Sequence, residues 1–281
     1  MWRSLAAEAE PPSLVITGGD HIMHSMDQLK SRVEALWAMW HRVKREECRF
    51  DTFPVIGNHD CWGWHPASEA AEGDPRRGKA WALEGLELRQ RFYSITGRVP
   101  GWRIIVLDGV QPHPERMYQG RLDDEQFEWL RGELAATPAT EHVLIATHIP
   151  ILSVGVTLNS RVFVQGGRKT DIDARDMHTD ASRVLALLDE FPQVRGVISG
   201  HLHQTDRVEY AGPRAAAEGR PPIVHLCNGA ASGAWWRGTN INSPQAYALL
   251  DLHADGRIER TIRPFPHTVR DPDDMPPRRS P

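Results

Sequence analysis

Four short polar clusters carry side chains able to ligate a divalent ion, and each directly follows an apolar run. They are Gly18-Gly19-Asp20, Gly57-Asn58-His59-Asp60, Thr147-His148 and Gly200-His201-Leu202-His203. Imidazole suits Zn, Fe and Mn, while carboxylate and amide oxygens favour the harder members of that series. No cysteine stands in the set, which argues against a structural zinc. In Gly-His-Leu-His the imidazoles stand at i and i+2, so an extended backbone puts both on one side and turns Leu202 into the core. The glycines ahead of Asp20, Asn58 and His201 permit tight turns and close backbone approach. A lone histidine such as His148 reads first as a satisfied core residue, and a Gly-Asn-His-Asp string as a turn. The ordered set is what points to a metal centre.

The elements that must position these groups are short, β-branched runs at 14–17, 53–56, 104–107, 143–146, 197–199, 223–226 and 248–252, bounded by Gly, Pro, Asn or Asp. Such runs read as strands. Between them, Leu29, Val33, Leu36, Trp37, Trp40 and Val43 recur at three- and four-residue steps, predicting one amphipathic helix over 25–47. Phe127, Leu130 and Leu134 mark a second helix opened by Asp123 and Asp124. A third, capped by Asp180, carries Val184, Leu187, Leu188 and Phe191. Strands alternating with helices give an α/β fold, in which ligand-bearing loops sit at the carboxyl ends of strands.

At 281 residues a single domain accounts for the chain, expected over 1–266, with a polar tail at 267–281 that has nothing to bury. The Asp/Arg-rich insert at 161–178 reads as a solvated loop. A net charge of −4 supplies no basic footprint for nucleic acid or an acidic membrane surface. Cys48, Cys61 and Cys227 are too few and too scattered for a disulfide framework. No apolar run approaches a membrane span and the first twelve residues do not read as a signal peptide, so the chain as written is expected in the cytoplasm. Neither G-x-S-x-G nor a P-loop occurs.

Taken in order, the four clusters resemble the signature of the calcineurin-like metallophosphoesterases, from Gly18 to His203, and the 227–236 stretch is similar to some bacterial members. The resemblance implies a four-layer α/β/β/α sandwich of two mixed sheets. It implies hydrolysis of a small phosphomonoester or phosphodiester by a hydroxide bridging two divalent ions (Mn, Fe or Zn). Carried over by position, Asp20 bridges both ions, Asn58, His148 and His201 complete the second site, and His203 belongs to the first. His59 is the acid for the leaving oxygen, with Asp60 as a partner that orients it. The other reading that the resemblance allows is a binding or scaffold module without catalysis. The Trp235-Trp236 pair reads as packing at the sandwich edge, or as a stacking platform for a nucleobase.

The family's Asp-x-His motif on a first strand, which supplies the other two ligands of the first ion, does not precede Asp20 here. Trp2, Leu5 and Ala9 fall at helical spacing, like the remainder of a helix after that strand, so an in-frame Asp-x-His is expected upstream of Met1. Two divalent ions about 4 Å apart repel by roughly 16 kcal/mol at an effective dielectric near 20, which bridging and terminal anions normally offset. The chain as written is therefore expected to hold the second ion and to bind the first weakly. His21 and His24, just past Asp20, are not expected to substitute.

Overall fold

The structure is a computed structural model, and it describes residues 1–158, 163–165, 169–231 and 245–265. The Trp235-Trp236 pair and the 267–281 tail lie outside the described residues. In chain order the elements are α1 (Trp2–Ala6), β1 (Val15–Thr17), α2 (Lys30–Glu47), β2 (Thr52–Pro54), α3 (Ala80–Gly85), β3 (Tyr93–Val99), β4 (Trp102–Val106), β5 (Val110–His113) and β6 (Met117–Gly120). There follow α4 (Asp124–Ala136), β7 (His142–Ala146), β8 (Phe163–Gln165), β9 (Lys169–Asp171), α5 (Ala181–Asp189), β10 (Val194–Ser199), β11 (Thr205–Tyr210), α6 (Pro213–Glu218), β12 (Ile223–Asn228), β13 (Ala246–Leu252) and β14 (Ile258–Pro264).

The main sheet runs β11-β12-β10-β7-β4-β3. Its four inner strands are parallel, and the edge strands β3 and β11 pair antiparallel. Both faces are buried, because alternate residues feed different cores. Ile105, Val143, Ile145, Val194 and Val197 pack on Phe127, Leu130 and Leu134 of α4 and on Val184, Leu187 and Leu188 of α5. Ile104, Val106, Leu144, Ala146 and Ile198 face the other way, onto Ile16, Phe53 and Val55 around β1-β2 and Leu250, Leu252 and Ile258 of β13-β14. Val33 and Trp37 of α2 and Trp81 of α3 pack with Ile22, Ile56 and Trp62, in the loops that follow the parallel pair β1-β2. An α/β fold with a large mixed sheet is as expected, and the strands facing that sheet form the separate pairs β1-β2 and β13-β14.

The structure departs from the sequence expectations in three places. The 25–47 helix is broken: Ser25–Asp27 is a 3-10 turn, Leu29 is an extended N-cap and 60% exposed, and α2 starts at Lys30. The hydrogen bonds of the 25–28 segment are directed at the His59 loop, which pulls it off the helix axis. Asp180 stands at the N-cap of α5 but makes no side-chain cap bond. Its carboxylate accepts from Leu122 N at 3.0 Å and lies 3.2 Å from His178 Nδ1. The insert at 161–178 contains an antiparallel pair, β8-β9, and ends on buried Asp176 and His178 rather than in solvent. Among the described residues no helix is long and apolar enough to cross a membrane.

One buried group gives the fold a pH dependence. His225 on β12 is 1% exposed, and neither ring nitrogen has a partner among the described residues. Burial pushes its pKa down to about 4, against a smaller opposing pull from Asp206. The unfolded chain, with a histidine near 6.5, therefore binds the proton more readily, and stability is lost as pH falls from about 6.5 towards 4. At pH 5 this single group should cost about 2 kcal/mol relative to pH 8. Urea titrations of the wild type and His225→Leu at both pH values check it: the variant should lose that part of the slope, and an unchanged slope would refute the assignment.

Candidate metal centre

The carboxyl ends of β1, β2, β7 and β10 converge, and each places one side chain. Asp20, His148 and His201 each offer a ligand atom within 4.8 Å of the others, the one such group of three found among the described residues. His148 Nε2 is the hub: it lies 3.0 Å from Asn58 Oδ1, 3.1 Å from His201 Nδ1 and 3.3 Å from Asp20 Oδ2. Ligands about 2.1 Å from an ion lie roughly 3.0–3.4 Å apart at octahedral or tetrahedral angles, so the donor set fits a divalent ion. His148 Nδ1 donates to Gly18 O at 2.7 Å, which leaves Nε2 facing the cluster as the second ring nitrogen.

The electrostatics of these side chains follow from that packing. Burial alone would raise the Asp20 carboxyl, but His148, His59 and His201 outweigh it and hold the group well below the usual carboxylate range. For His148 burial favours the neutral ring, yet Asp20 and the bond to Gly18 raise its pKa. A proton thus competes for the place that an ion would take, as metal binding to imidazole requires.

Two glycines let the loops come this close. A Cβ at Gly19, whose φ is 99°, would lie 2.2 Å from His148 Nδ1, and one at Gly57 would lie 2.2 Å from both Asp20 N and Oδ1. Asp20, His201 and His203 themselves adopt left-handed φ values of 57°, 66° and 56°. Such conformations are sparsely populated outside glycine and concentrate where the surroundings impose them, functional sites included.

The remaining sequence candidates are placed as follows. His59 N donates to Asp20 Oδ1 at 2.9 Å, which ties the His59 backbone to the Asp20 carboxylate. His203 is not one of the Asp20–His148–His201 group. The Asp60 carboxylate, wholly buried, accepts from Asp20 N (3.1 Å), His21 N (2.8 Å), Ile22 N (3.3 Å) and Gly57 N (2.8 Å). His21 Nδ1 is 3.0 Å from the same carboxylate and its Nε2 is 2.7 Å from Thr17 Oγ1. Asp60 therefore clasps the two ligand loops together. His21, whose two ring nitrogens meet Asp60 and Thr17, is part of the clasp and lies outside the Asp20–His148–His201 group. Sequence reasoning passed over Tyr118, whose ring meets His201 edge-on at 6.0 Å. Its strand, β6, lacks the apolar run that marks the others.

Comparison with known proteins bears on the family and the fold. Residues 1–205 match the family model described as calcineurin-like phosphoesterase. A 3',5'-cyclic adenosine monophosphate phosphodiesterase of Vibrio vulnificus is 31% identical over 174 residues, covering 58% of this chain and 50% of the relative. A probable cyclic nucleotide phosphodiesterase of a Synechococcus strain is 30% identical over 125 residues, covering 41% of this chain and 42% of the relative. The chain thus spans about half the length of the curated relatives it matches. Among solved structures, a dimetal phosphatase from Danio rerio superposes with a TM-score of 0.52 at 17% identity, covering 90% of this chain and 81% of that one. A purple acid phosphatase from yellow lupin superposes with a TM-score of 0.55 at 15% identity, covering 89% and 43%. These likenesses concern the fold.

Proposed function

Because this chain belongs to the calcineurin-like phosphoesterase family, we propose that it hydrolyses a small phosphate ester, a phosphodiester of the cyclic nucleotide type being the first to test. The observation that carries the reading is the convergence of Asp20, Asn58, His148 and His201 on one point, with the backbone of His59 bonded to the same Asp20 carboxylate.

Asp20, Asn58, His148 and His201 would hold one divalent ion, with His203 and residues outside this set serving any second one. When bound, the ion supplies a Lewis acid that activates water and neutralises phosphoryl oxygens. The chain's own residues do the rest. Gly18 O holds the His148 ring, Asp60 holds the Asp20 and Asn58 loops in register, and burial of His148 and Asn58 keeps bulk water from the ligand atoms. His59 donates a proton to the leaving oxygen as the P–O bond to it breaks and water's oxygen bonds to phosphorus. Domain limits of 1–266 accompany this reading.

The test is hydrolysis of bis(p-nitrophenyl) phosphate and 3',5'-cyclic AMP with and without added Mn. Metal-dependent turnover is expected, and His59→Ala should lower kcat for the cyclic nucleotide by about 100-fold or more, the usual contribution of a positioned acid. Turnover unaffected by a chelator, or a His59→Ala rate equal to wild type, would overturn it. Metal binding without turnover of any phosphate ester would favour a binding module.

A further inference from the structure

His24 lies outside the Asp20–His148–His201 group, yet one ring contact ties it to the site and two further features describe how it is held. It adopts φ 58°, one of six left-handed non-glycine residues among those described, three of which are Asp20, His201 and His203. Its ring lies 5.2 Å from the His59 ring, centroid to centroid, tilted by 44°. Its Nε2 is 3.2 Å from Asp27 Oδ1, and that oxygen also accepts from Gln28 Nε2 at 2.8 Å.

The segment that carries His24 is fastened to the loop that carries His59. Ser25 Oγ donates to His59 O at 2.6 Å, and Trp62 Nε1 donates to Gln28 O at 2.9 Å. Gly63 N and His65 N both donate to Met26 O, at 3.1 and 3.3 Å. With both backbones locked and Asp27 holding the far nitrogen, the His24 ring has a set position against His59. The His24 side chain is 44% exposed, so it contributes little to the core. A left-handed, half-exposed histidine is poor material for folding alone, since glycine would take that backbone without strain.

We propose that His24, held by Asp27, is a positioning residue for His59, setting the rotamer from which His59 gives its proton to the leaving oxygen. The proposal rests on the phosphoesterase reading for its chemical consequence but not for its structural content. The His24 ring limits the volume open to His59, and loss of that wall lets the acid swing away from the ester.

Two measurements on the whole chain decide it. The first is the χ1 rotamer of His59 from three-bond NMR couplings, at one pH and with no metal added. Wild type should populate one staggered state, His24→Gly should average over several, and Asp27→Asn should fall between. An unchanged single rotamer in His24→Gly overturns the proposal. The thermal midpoint of His24→Gly should be no lower than wild type, because glycine relieves the backbone, so averaging cannot be assigned to unfolding. The second is kcat/KM with Mn for two leaving groups. An alkoxide needs the proton and nitrophenolate does not, so His24→Gly should lose about 10-fold on 3',5'-cyclic AMP and less than about 3-fold on bis(p-nitrophenyl) phosphate. Equal losses on both also overturn it. If wild type turns over neither ester, the phosphoesterase reading fails, while the rotamer measurement still decides the role of His24.

Discussion

His148→Ala is expected to abolish divalent-ion binding by this chain, whereas His203→Ala should leave it within about threefold of wild type. The asymmetry follows from position. His148 Nε2 is within 3.3 Å of the donor atoms of Asn58, Asp20 and His201, so its removal takes the shared centre out of the set. The ring is 2% exposed and held by Gly18 O, so water does not readily replace it with a ligand of the same geometry. Losing a partner that only orients a ligand costs about 10- to 100-fold in metal affinity, and losing the ligand itself should cost more. Calorimetric titration of the metal-free chain with Mn measures this, alongside metal content per chain after dialysis. A single ion still tightly held by His148→Ala would sink the site as drawn. The proton that competes for His148 adds a second check: against burial, Asp20 and the bond to Gly18 raise its pKa, so Mn affinity should fall as pH drops and the ring takes up its proton.

Asp60→Ala should be the most destabilising single change at the site, by about 3–5 kcal/mol. Four backbone N–H groups and the His21 ring converge on this one wholly buried carboxylate, and alanine would strand them all. A stranded buried donor costs more than the net worth of the bond it made. Asp60→Asn keeps the shape but turns one acceptor into a donor facing other donors, so it should lose roughly half as much. Urea unfolding monitored by tryptophan fluorescence would give both values, and Mn titration of whatever remains folded should show weakened binding because Asp20 and Asn58 lose their register. If both variants unfold within about 1 kcal/mol of wild type, the clasp is not what holds the loops. Asp60 would then return to the simpler part first suggested for it, as a partner of His59.

The two residues illustrate how differently side chains announce themselves. His148 was legible as a candidate ligand only as a member of the ordered set of strand-end clusters, since alone it reads as a satisfied core histidine. Asp60 was legible as polar and close to ligands, but three of its four backbone donors come from residues 20–22, about forty positions away in the chain. Only the packing of β1 beside β2 brings them together. The same holds for α2. Its apolar stripe predicted the helix, and Val33 and Trp37 are buried on it as expected. Its true start at Lys30 was hidden, because the 25–28 segment is held by bonds to the His59 loop and not by local helix preference.

The strands missed are β3, β5, β6, β8, β9, β11 and β14; of these β3, β5, β6, β11 and β14 are edge or hairpin strands with mixed exposure, where one face meets water and the apolar signal fades. The inner strands were plain because both faces are buried. By itself, then, the chain's order of residues determined the family, the buried parallel strands and the side chains at their ends, since these depend on local chemistry and on apolar runs. Tertiary structure alone decided that His148 is the hub, that Asp60 and His21 form a clasp, and that His24 sits against His59. Those relations are distances between loops far apart in the chain, and a distance of that kind exists only once the sheets have packed.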